Sequence, residues 1–281
     1  MAVTLKSWLL EASRQLQEAG QENARQEAEM LLCQQLQKNT AYLFAWPELT
    51  LTPIQQEQLA SWLQQRLDGR PLAWILGAWE FWGLRLEVSP ATLIPRADTE
   101  CLVEQALSLG EAPALRVMDL GTGTGALALA LKKERPGWQV EAVDFQPAAV
   151  TLARKNARQL ELDVRIWQSD WWQSVPPGDY DLILSNPPYI HPDDPHLLQG
   201  DVRFEPQTAL VGGDDGLEAY RKLLSGIEQR LKPGGWLLVE QGYDQAEAVA
   251  ELFARAGLVE ISGFQDYAGQ PRITQGRRPK V

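Results

Sequence analysis

The stretch "SNPPYI" (residues 185–190) places an amide side chain, two prolines and a tyrosine after the apolar run "YDLILS", which is typical of a strand buried on both faces. The motif can simply end that strand, because proline cannot continue a ladder. It can also do chemistry. The Asn186 side-chain oxygen and the Pro187 backbone carbonyl can accept both N–H bonds of a planar NH2 group. The rings of Pro187 and Pro188 fix that carbonyl, and Tyr189 offers a flat wall.

A second candidate site is the glycine-rich stretch "DLGTGTGALALAL", which follows another strand-like run. It contains Asp119, Gly121, Thr122, Gly123, Thr124 and Gly125. Alternate glycines allow a tight turn and let a ligand lie against bare backbone at a helix N-terminus. The acidic residue would repel a pyrophosphate but attract a cation. The pattern Asp-x-Gly-x-Gly-x-Gly resembles that of class I S-adenosylmethionine methyltransferases, which implies S-adenosylmethionine as the cofactor.

Two more strand ends carry polar or aromatic residues that suit this cofactor. Asp144 ends "EAVDF", 21 residues beyond Gly123, and its carboxylate can accept hydrogen bonds from both ribose hydroxyls. The alternative is an ordinary turn aspartate, and the glycine loop favours the ribose role. In "SDWW", Asp170 can accept from the adenine amino group, and Trp171 can press on the ring or offer its backbone N–H. We assign the neighbouring Trp167 and Trp172 to core packing.

The order of predicted elements places these strand ends at one cleft. From about residue 97 strands alternate with helices, which predicts an α/β fold with a doubly wound, mostly parallel, Rossmann-like sheet. Ligands bind beyond the carboxyl ends of such strands. Residues 1–75 show helical periodicity, with Thr52 and Gln55 forming a capping box, and residues 76–95 alternate around Gly83 as a β-hairpin does. We therefore expect a helical bundle (1–75), a hairpin linker (76–95) and a methyltransferase domain (96–281).

Composition excludes several classes of function. The 281 residues carry a formal net charge of -11, which disfavours non-specific nucleic-acid binding. Two distant cysteines, Cys33 and Cys101, suggest neither a disulfide framework nor a metal site, and no apolar run is long enough to span a membrane. We expect a soluble, cytoplasmic protein. Four basic residues near the C-terminus are interpreted as a solvated end, namely Arg272, Arg277, Arg278 and Lys280.

Longer stretches narrow the family. The motif at Asn186 resembles that of methyltransferases that alkylate a conjugated NH2 group, including DNA amino-methyltransferases and protein-glutamine methyltransferases. The segments "GRPLAWILGAWEFWGLRLEVSPATLIPRADTE", "SNPPYI" and "DVRFEPQTAL" look very much like bacterial peptide chain release factor glutamine N5-methyltransferases, the PrmC or HemK family. The resemblance extends along nearly the whole chain. It implies methylation of the side-chain amide of the glutamine in the Gly-Gly-Gln motif of release factors, which modulates translation termination.

The resemblance also assigns roles to individual positions. It implies cofactor contacts at residues 121–125, Asp144, Trp171 and Asn186, and a substrate site at residues 186–189 in which Asn186 and Pro187 act in catalysis. Asp119 and Asp170 join the cofactor site by their chemistry. The segment "LIPRADTE" is expected over the methionine end, with Arg96 and Glu100 either contributing to the site or forming a structural ion pair. The family commonly has proline or another small residue where Ala97 stands, and often glutamate where Asp98 stands.

Three alternatives remain at this stage. A sister glutamine methyltransferase acting on a ribosomal large-subunit protein would share the pocket. A nucleic-acid amino-methyltransferase fits the motif but not the acidic charge. A non-catalytic module would retain the cofactor loop as scaffold. The expected partners are release factors, bound by the N-terminal bundle because of its position and polar faces, with no direct nucleic-acid contact, no membrane and a monomeric state.

Overall fold

The computed structural model describes residues 2–110 and 112–280, and the chain divides into two compact units, Met1–Gly77 and Ala78–Val281. This division assigns the hairpin to the second unit, whereas the sequence suggested a separate linker. The helices of the first unit are α1 (Leu5–Glu18), α2 (Ala24–Leu36), α3 (Thr40–Ala45), α4 (Pro53–Leu67) and α5 (Leu72–Leu76).

Capping residues set the helix starts of the first unit. Thr52 and Gln55 form the predicted capping box of α4, with Pro53 at the first helical position. Asn39 caps α3 through the backbone N–H of Tyr42. The apolar faces of α1 and α2 are buried against each other and against α4, as the predicted helical bundle requires.

The second unit begins with an antiparallel hairpin of β1 (Ala78–Phe81) and β2 (Leu84–Glu87). Both turn residues, Trp82 and Gly83, have positive φ (52° and 62°), the conformation that a two-residue hairpin requires. The hairpin centred at Gly83 is therefore confirmed.

A seven-stranded sheet forms the centre of the second unit, in the order β5-β4-β3-β6-β7-β9-β8. Its strands are β3 (Arg116–Leu120), β4 (Gln139–Asp144), β5 (Arg165–Gln168), β6 (Tyr180–Ser185), β7 (Leu231–Glu240), β8 (Val259–Gln265) and β9 (Pro271–Arg277). The first five strands in the spatial order pair in parallel, and β9 pairs antiparallel with both β7 and β8. The predicted α/β, mostly parallel architecture is confirmed.

Helices cover the sheet on both faces. They are α6 (Glu100–Leu109), α7 (Ala126–Glu134), α8 (Pro147–Gln159), α9 (Glu218–Leu224) and α10 (Ala246–Arg255). Strand β6 shows why both faces are apolar. Leu182 and Leu184 lie in one hydrophobic cluster and Tyr180 and Ile183 in the other, so the run before Asn186 is buried on both sides as predicted.

The C-terminal segment corrects one interpretation. Residues 271–277 do not form a solvated end: they are strand β9, which lies between two other strands. Arg272 pairs with Asp266 at 3.1 Å, and Arg277 lies over the Trp236 ring at 5.2 Å from its centroid. The buried part of β9 includes Thr274 and Gln275, so the strand lacks the apolar run by which a buried strand is predicted from sequence.

Within residues 2–110 and 112–280, the structure has no helix that is both long enough and apolar enough to cross a membrane.

Candidate active site

The carboxyl ends of β3, β4, β5 and β6 open into a cavity of about 390 Å³. Its wall includes most of the residues that the sequence singled out: Gly121, Thr122, Gly123, Thr124, Asp144, Asp170, Trp171, Asn186, Pro187 and Pro188. Three of the predicted site residues do not line it. Asp119 lies beneath the glycine loop, Gly125 is the last residue of that loop and packs against Leu129, and Tyr189 packs against the core on one face of the sheet.

The glycine loop needs its glycines for two different reasons. Gly121, Gly123 and Gly125 all have positive φ (79°, 56° and 88°), where a side chain would be strained. At Gly125, which precedes the first residue of α7, a Cβ would also lie 3.0 Å from Leu129 Cδ1 and 3.3 Å from Ala153 Cβ. At Gly121 a Cβ would meet nothing within 4 Å. The loop thus presents its backbone, without side chains, to the cavity at Gly121, and it packs tightly against Leu129 and Ala153 at Gly125.

A buried carboxyl group lies under this loop. Asp119 is fully buried, and its Oδ2 accepts a hydrogen bond from Thr122 Oγ1 at 2.6 Å. The backbone N–H of Ala128 favours the charged form, but no donor among the described residues reaches Oδ1 with normal hydrogen-bond geometry. Burial dominates and raises the pKa of Asp119 to about 7. A cation in the cavity would offset that cost.

Asp144 holds the loop to the end of β4. Its Oδ2 accepts the backbone N–H of Gly123 and its Oδ1 accepts that of Gln146, both at 2.8 Å. Burial raises the pKa of Asp144, and these backbone donors partly offset the rise. The residue lines the cavity where a ribose would lie in the predicted cofactor site.

The residues in and next to "SDWW" do not divide cleanly between cavity and core, because Trp171 lines the cavity and also packs against the hydrophobic cluster that contains Trp172. Trp171 lines the cavity in the left-handed region (φ 49°), and its carbonyl accepts the Ser169 hydroxyl at 2.7 Å. Asp170 also lines the cavity. The packing roles of the other two tryptophans are confirmed: Trp172 is buried and donates to Leu223 O at 2.7 Å, and Trp167 packs against the same cluster.

Behind Asn186 lies a chain of buried hydrogen bonds that the sequence did not reveal. Asn186 Nδ2 donates to Thr99 Oγ1 at 3.1 Å, and Thr99 Oγ1 donates to Glu240 Oε2 at 2.6 Å. The Tyr189 hydroxyl donates to Glu240 Oε1 at 3.3 Å. Tyr189 contacts Glu240 through its hydroxyl and is not among the residues that line the cavity, so its role as a flat wall for the substrate stays a prediction.

The backbone that follows the motif is fixed by the segment around Gly212. Ile190 N donates to Leu210 O at 2.8 Å, and Gly212 N donates to Ile190 O at 3.0 Å. A Cβ at Gly212 would lie only 2.7 Å from Pro188 O, so this approach requires glycine. Gln245 Nε2 donates to the carbonyl of Tyr189 at 2.9 Å. The motif is thus rigid beyond its two prolines.

Arg96 and Glu100 do not pair with each other. Arg96 lines the cavity and forms an ion pair with the buried Glu205, whose other oxygen accepts the backbone N–H of Ile94 at 2.9 Å. Glu100 accepts the backbone N–H of Trp82 at 2.7 Å, which ties the hairpin turn to α6. The ion pair of Arg96 with Glu205 holds the segment 205–213, part of which lines the cavity, beside Arg96.

The residues present suit S-adenosylmethionine. The volume falls in the range of sites for small organic ligands, roughly 300–1,000 Å³. Within the described residues, Thr92 Oγ1 is a buried polar atom of the cavity wall without a hydrogen-bond partner. A polar ligand in the cavity would satisfy it. Fold and site together define a class I S-adenosylmethionine-dependent methyltransferase.

Comparisons with known proteins place the chain more narrowly. The family model for the methyltransferase small domain matches residues 98–199, and that for the PrmC N-terminal domain matches residues 7–77. The chain is 49% identical to the release factor glutamine methyltransferase of Salmonella typhimurium, over 96% of this chain and 97% of that protein. It is 45% identical to the protein of that name from Vibrio cholerae, over 99% and 98%. The chain belongs to the release factor glutamine methyltransferase family.

A solved structure supports the fold alone. A methyltransferase from Pyrococcus furiosus aligns with a TM-score of 0.56 and 20% identity, over 78% of this chain and 99% of that one.

Proposed function

We propose that this chain transfers the methyl group of S-adenosylmethionine to the side-chain amide nitrogen of the glutamine in the Gly-Gly-Gln motif of peptide chain release factors. One observation carries the proposal. Asn186 and Pro187 line the cofactor cavity, and the Asn186 NH2 group is already engaged by Thr99. Its Oδ1 is thereby left as an acceptor on the cavity side.

The chemistry of a carboxamide explains why two acceptors are needed. The nitrogen lone pair of an amide is conjugated with the carbonyl, so the nitrogen is a poor nucleophile. When Asn186 Oδ1 and the Pro187 carbonyl each accept one N–H, they orient the nitrogen and favour tetrahedral geometry at it. No strong base has to act before attack, because one N–H becomes acidic only as the new N–C bond forms and the methyl–sulfur bond breaks. The sulfur would leave as a neutral thioether, and the proton would pass to water. Most of the acceleration comes from positioning.

The cofactor half of the site does a different task. When bound, S-adenosylmethionine supplies an electrophilic methyl group on a sulfonium. We propose that residues 121–125 hold its methionine part over Asp119, that Asp144 accepts the ribose hydroxyls, and that Asp170 and Trp171 hold the adenine. Each of these roles is supported by chemistry and by position in or directly behind the cavity wall.

We further propose that the first unit recognises the release factor. It exposes large apolar side chains, including Phe44 (64% exposed) and Trp46 (59%), together with Leu10, Leu49 and Ile54. Exposed apolar groups of this size are typical of interaction surfaces. The net charge of -11 disfavours direct nucleic-acid contact. A monomer acting in the cytoplasm, where release factors function, remains our prediction.

The decisive experiment is mass spectrometry of a purified release factor after incubation with the enzyme and cofactor. We expect one added methyl group on the Gly-Gly-Gln peptide. A release factor with that glutamine changed to asparagine is the matched substrate control: its amide is one methylene too short to reach the acceptors, so the peptide should stay unmodified. Labelled cofactor with purified large-subunit proteins tests the rival directly. Methylation of a ribosomal protein and none of the release factor would overturn the assignment.

The recognition proposal has its own test. The double variant F44S/W46S changes two exposed side chains and should leave folding and cofactor affinity intact. We expect the KM for the release factor to rise about thirtyfold or more, since buried aromatic anchors commonly contribute more than about 1 kcal/mol each to an interface and the variant removes two. Val259→Ser removes an exposed apolar side chain from the second unit and serves as the control. An unchanged KM in the double variant would contradict recognition through this surface.

A further inference from the structure

The hydrogen-bond chain behind Asn186 has no obvious structural need for a carboxylate. Thr99 and Glu240 are 5% and 2% exposed, and Glu240 stands at the end of β7 beside the site. A buried carboxylate is costly, and an apolar residue could fill the same space at lower cost. Its contacts lead directly to the residue that we propose as the amide acceptor.

The donors and acceptors in this chain can be assigned without ambiguity when Glu240 is ionised. A carboxylate only accepts, so the single Thr99 hydroxyl proton must point to Glu240 Oε2. Thr99 Oγ1 can then only accept from Asn186, which must offer its Nδ2. The oxygen and nitrogen of an asparagine amide are nearly equal in shape, so neighbouring polar groups decide its orientation. An ionised Glu240 therefore turns Asn186 Oδ1 to the cavity.

We infer that Glu240 is a positioning residue that acts through Thr99 to hold the Asn186 side-chain oxygen toward the substrate amide, an inference that rests on the proposed function of Asn186. Protonation of Glu240 would reverse the arrangement. A protonated carboxyl can donate to Thr99 Oγ1, which frees the Thr99 hydroxyl to donate to Asn186 Oδ1. Asn186 would then present its NH2 group to the substrate NH2 group, and the pocket would lose one of its two acceptors.

The charged and titratable groups around Glu240 place this exchange near neutral pH. Burial is the largest influence and raises the pKa of Glu240 to about 7. Thr99, Arg272 and the Tyr189 hydroxyl favour the charged form, whereas Asp98 opposes it. The Tyr220 hydroxyl donates to the Glu240 backbone carbonyl rather than to its side chain. Because the ionised form is the productive one, turnover is lost as the pH falls through the folded-state pKa.

A purely structural role makes different predictions. Glu240 also joins the start of α6 to Tyr189, so its removal could simply loosen the fold. In that case stability and cofactor affinity would change, but the dependence of kcat on pH would not. The matched control is Glu141→Gln, because Glu141 is also a buried carboxylate in the sheet, bonded to Tyr180 at 2.7 Å and paired with Arg116.

The kinetic test uses the full-length enzyme at saturating cofactor and release factor. The kcat of the wild type should rise with increasing pH to a plateau, with a midpoint at about pH 7. In Glu240→Gln this pH-dependent rise of kcat should be absent, because a neutral amide does not titrate. Thr99→Val should lower kcat about tenfold or more at every pH, while Thr99→Ser, which keeps the hydroxyl, should restore most of it. The cofactor Kd, measured by calorimetry, should change less than about threefold in all three variants. Glu141→Gln should keep the wild-type pH profile.

A second measurement needs no turnover. The chain has four asparagines, so selective ¹⁵N labelling of asparagine gives few side-chain NH2 signals, and Asn186→Ala identifies the one in question. This signal should shift with pH near neutrality in the wild type, and the shift should disappear in Glu240→Gln and Thr99→Val. The inference would be overturned if the Asn186 signal of the wild type did not shift with pH, or if kcat in Glu240→Gln still depended on pH as in the wild type. If the signal titrates as expected but no release factor is methylated, the proposed function fails and the positioning network stands.

Discussion

The two sides of the cavity are built in opposite ways. The cofactor side is a continuous loop, residues 121–125, in which glycines with positive φ expose the backbone above one buried carboxyl group, Asp119, near the end of β3. The acceptor side joins Asn186, Thr99, Glu240 and Gly212, which are far apart in the chain. A loop shapes a site through residues that are adjacent in the chain. The oxygen and nitrogen of an asparagine amide are nearly equal in shape, so Asn186 is oriented by neighbouring side chains that the fold brings to it.

The largest effect should follow from breaking the acceptor side while leaving the loop alone. In Asn186→Ala we expect kcat to fall about 10²-fold or more, by analogy with loss of one preorganised polar partner. The cofactor Kd should change less than about threefold, because the loop and Asp144 remain. Single-turnover methylation and calorimetry measure the two quantities.

The control for this variant is another asparagine with a known structural task. Asn39→Ala removes the N-cap of α3, which should cost about 1 kcal/mol of stability and leave kcat unchanged. Equal losses of kcat in both variants would mean that Asn186 acts through stability and not through the substrate.

Two glycines allow the sides to be compared directly. Gly125→Ala should weaken cofactor binding about tenfold, because its Cβ meets Leu129 and strains a positive φ. Gly212→Ala should instead lower kcat about tenfold, because its Cβ would push on Pro188 O and displace the motif. Calorimetry and steady-state kinetics on the same preparations separate binding from turnover.

Gly121→Ala calibrates the cost of backbone strain alone, since its added Cβ would meet nothing within 4 Å. We expect a loss of about 1–3 kcal/mol in the free energy of unfolding from the positive φ at this position, and a larger loss at Gly125.

The comparison of the cofactor side with the acceptor side would fail if Gly212→Ala changed the cofactor Kd and left kcat unchanged.

The contrast also explains how much the sequence could reveal. The loop and the motif at Asn186 were predictable because their residues are adjacent, and the strand ends at Asp144 and Trp171 followed from the alternation of elements. Glu240 gave no such signal, since a glutamate at the end of an apolar run is equally compatible with exposure. Only the pairing of β7 with β6 and the start of α6 bring it to Asn186.

Strand β9 was not predicted from the sequence for a related reason. A polar strand is recognisable only by the neighbours that satisfy it, here β7, β8 and the ion pairs of Arg272 and Arg277.

Asp119 should make the cofactor side sensitive to pH. Its pKa is raised to about 7 by burial, and a bound cation favours its ionised form. Affinity is therefore retained above the folded-state pKa and falls as the pH drops through it, because binding must then expel a proton. We expect the wild-type Kd for S-adenosylmethionine to weaken about three- to tenfold between about pH 8 and about pH 6.

In Asp119→Asn this pH dependence should be lost, with an affinity near that of the wild type at the lower pH. Asp144→Asn should bind more weakly but keep the dependence near neutrality, because Asp119 is still present. Calorimetry at both pH values checks all three proteins, and a pH-dependent Kd in Asp119→Asn would remove Asp119 from this role.

Thr92 should give the smallest effect. Its hydroxyl lines the cavity beside Gly123, is buried, and has no partner within the described residues. If the cofactor satisfies it, Thr92→Val should weaken the Kd two- to fivefold, or about 0.5–1 kcal/mol, since one neutral hydrogen bond is lost. Thr151→Val removes an exposed hydroxyl on α8 and should leave the Kd unchanged. Tighter binding by Thr92→Val would mean that the bound cofactor gives the Thr92 hydroxyl no hydrogen-bond partner. Burial of that hydroxyl would then only lower the stability of the protein.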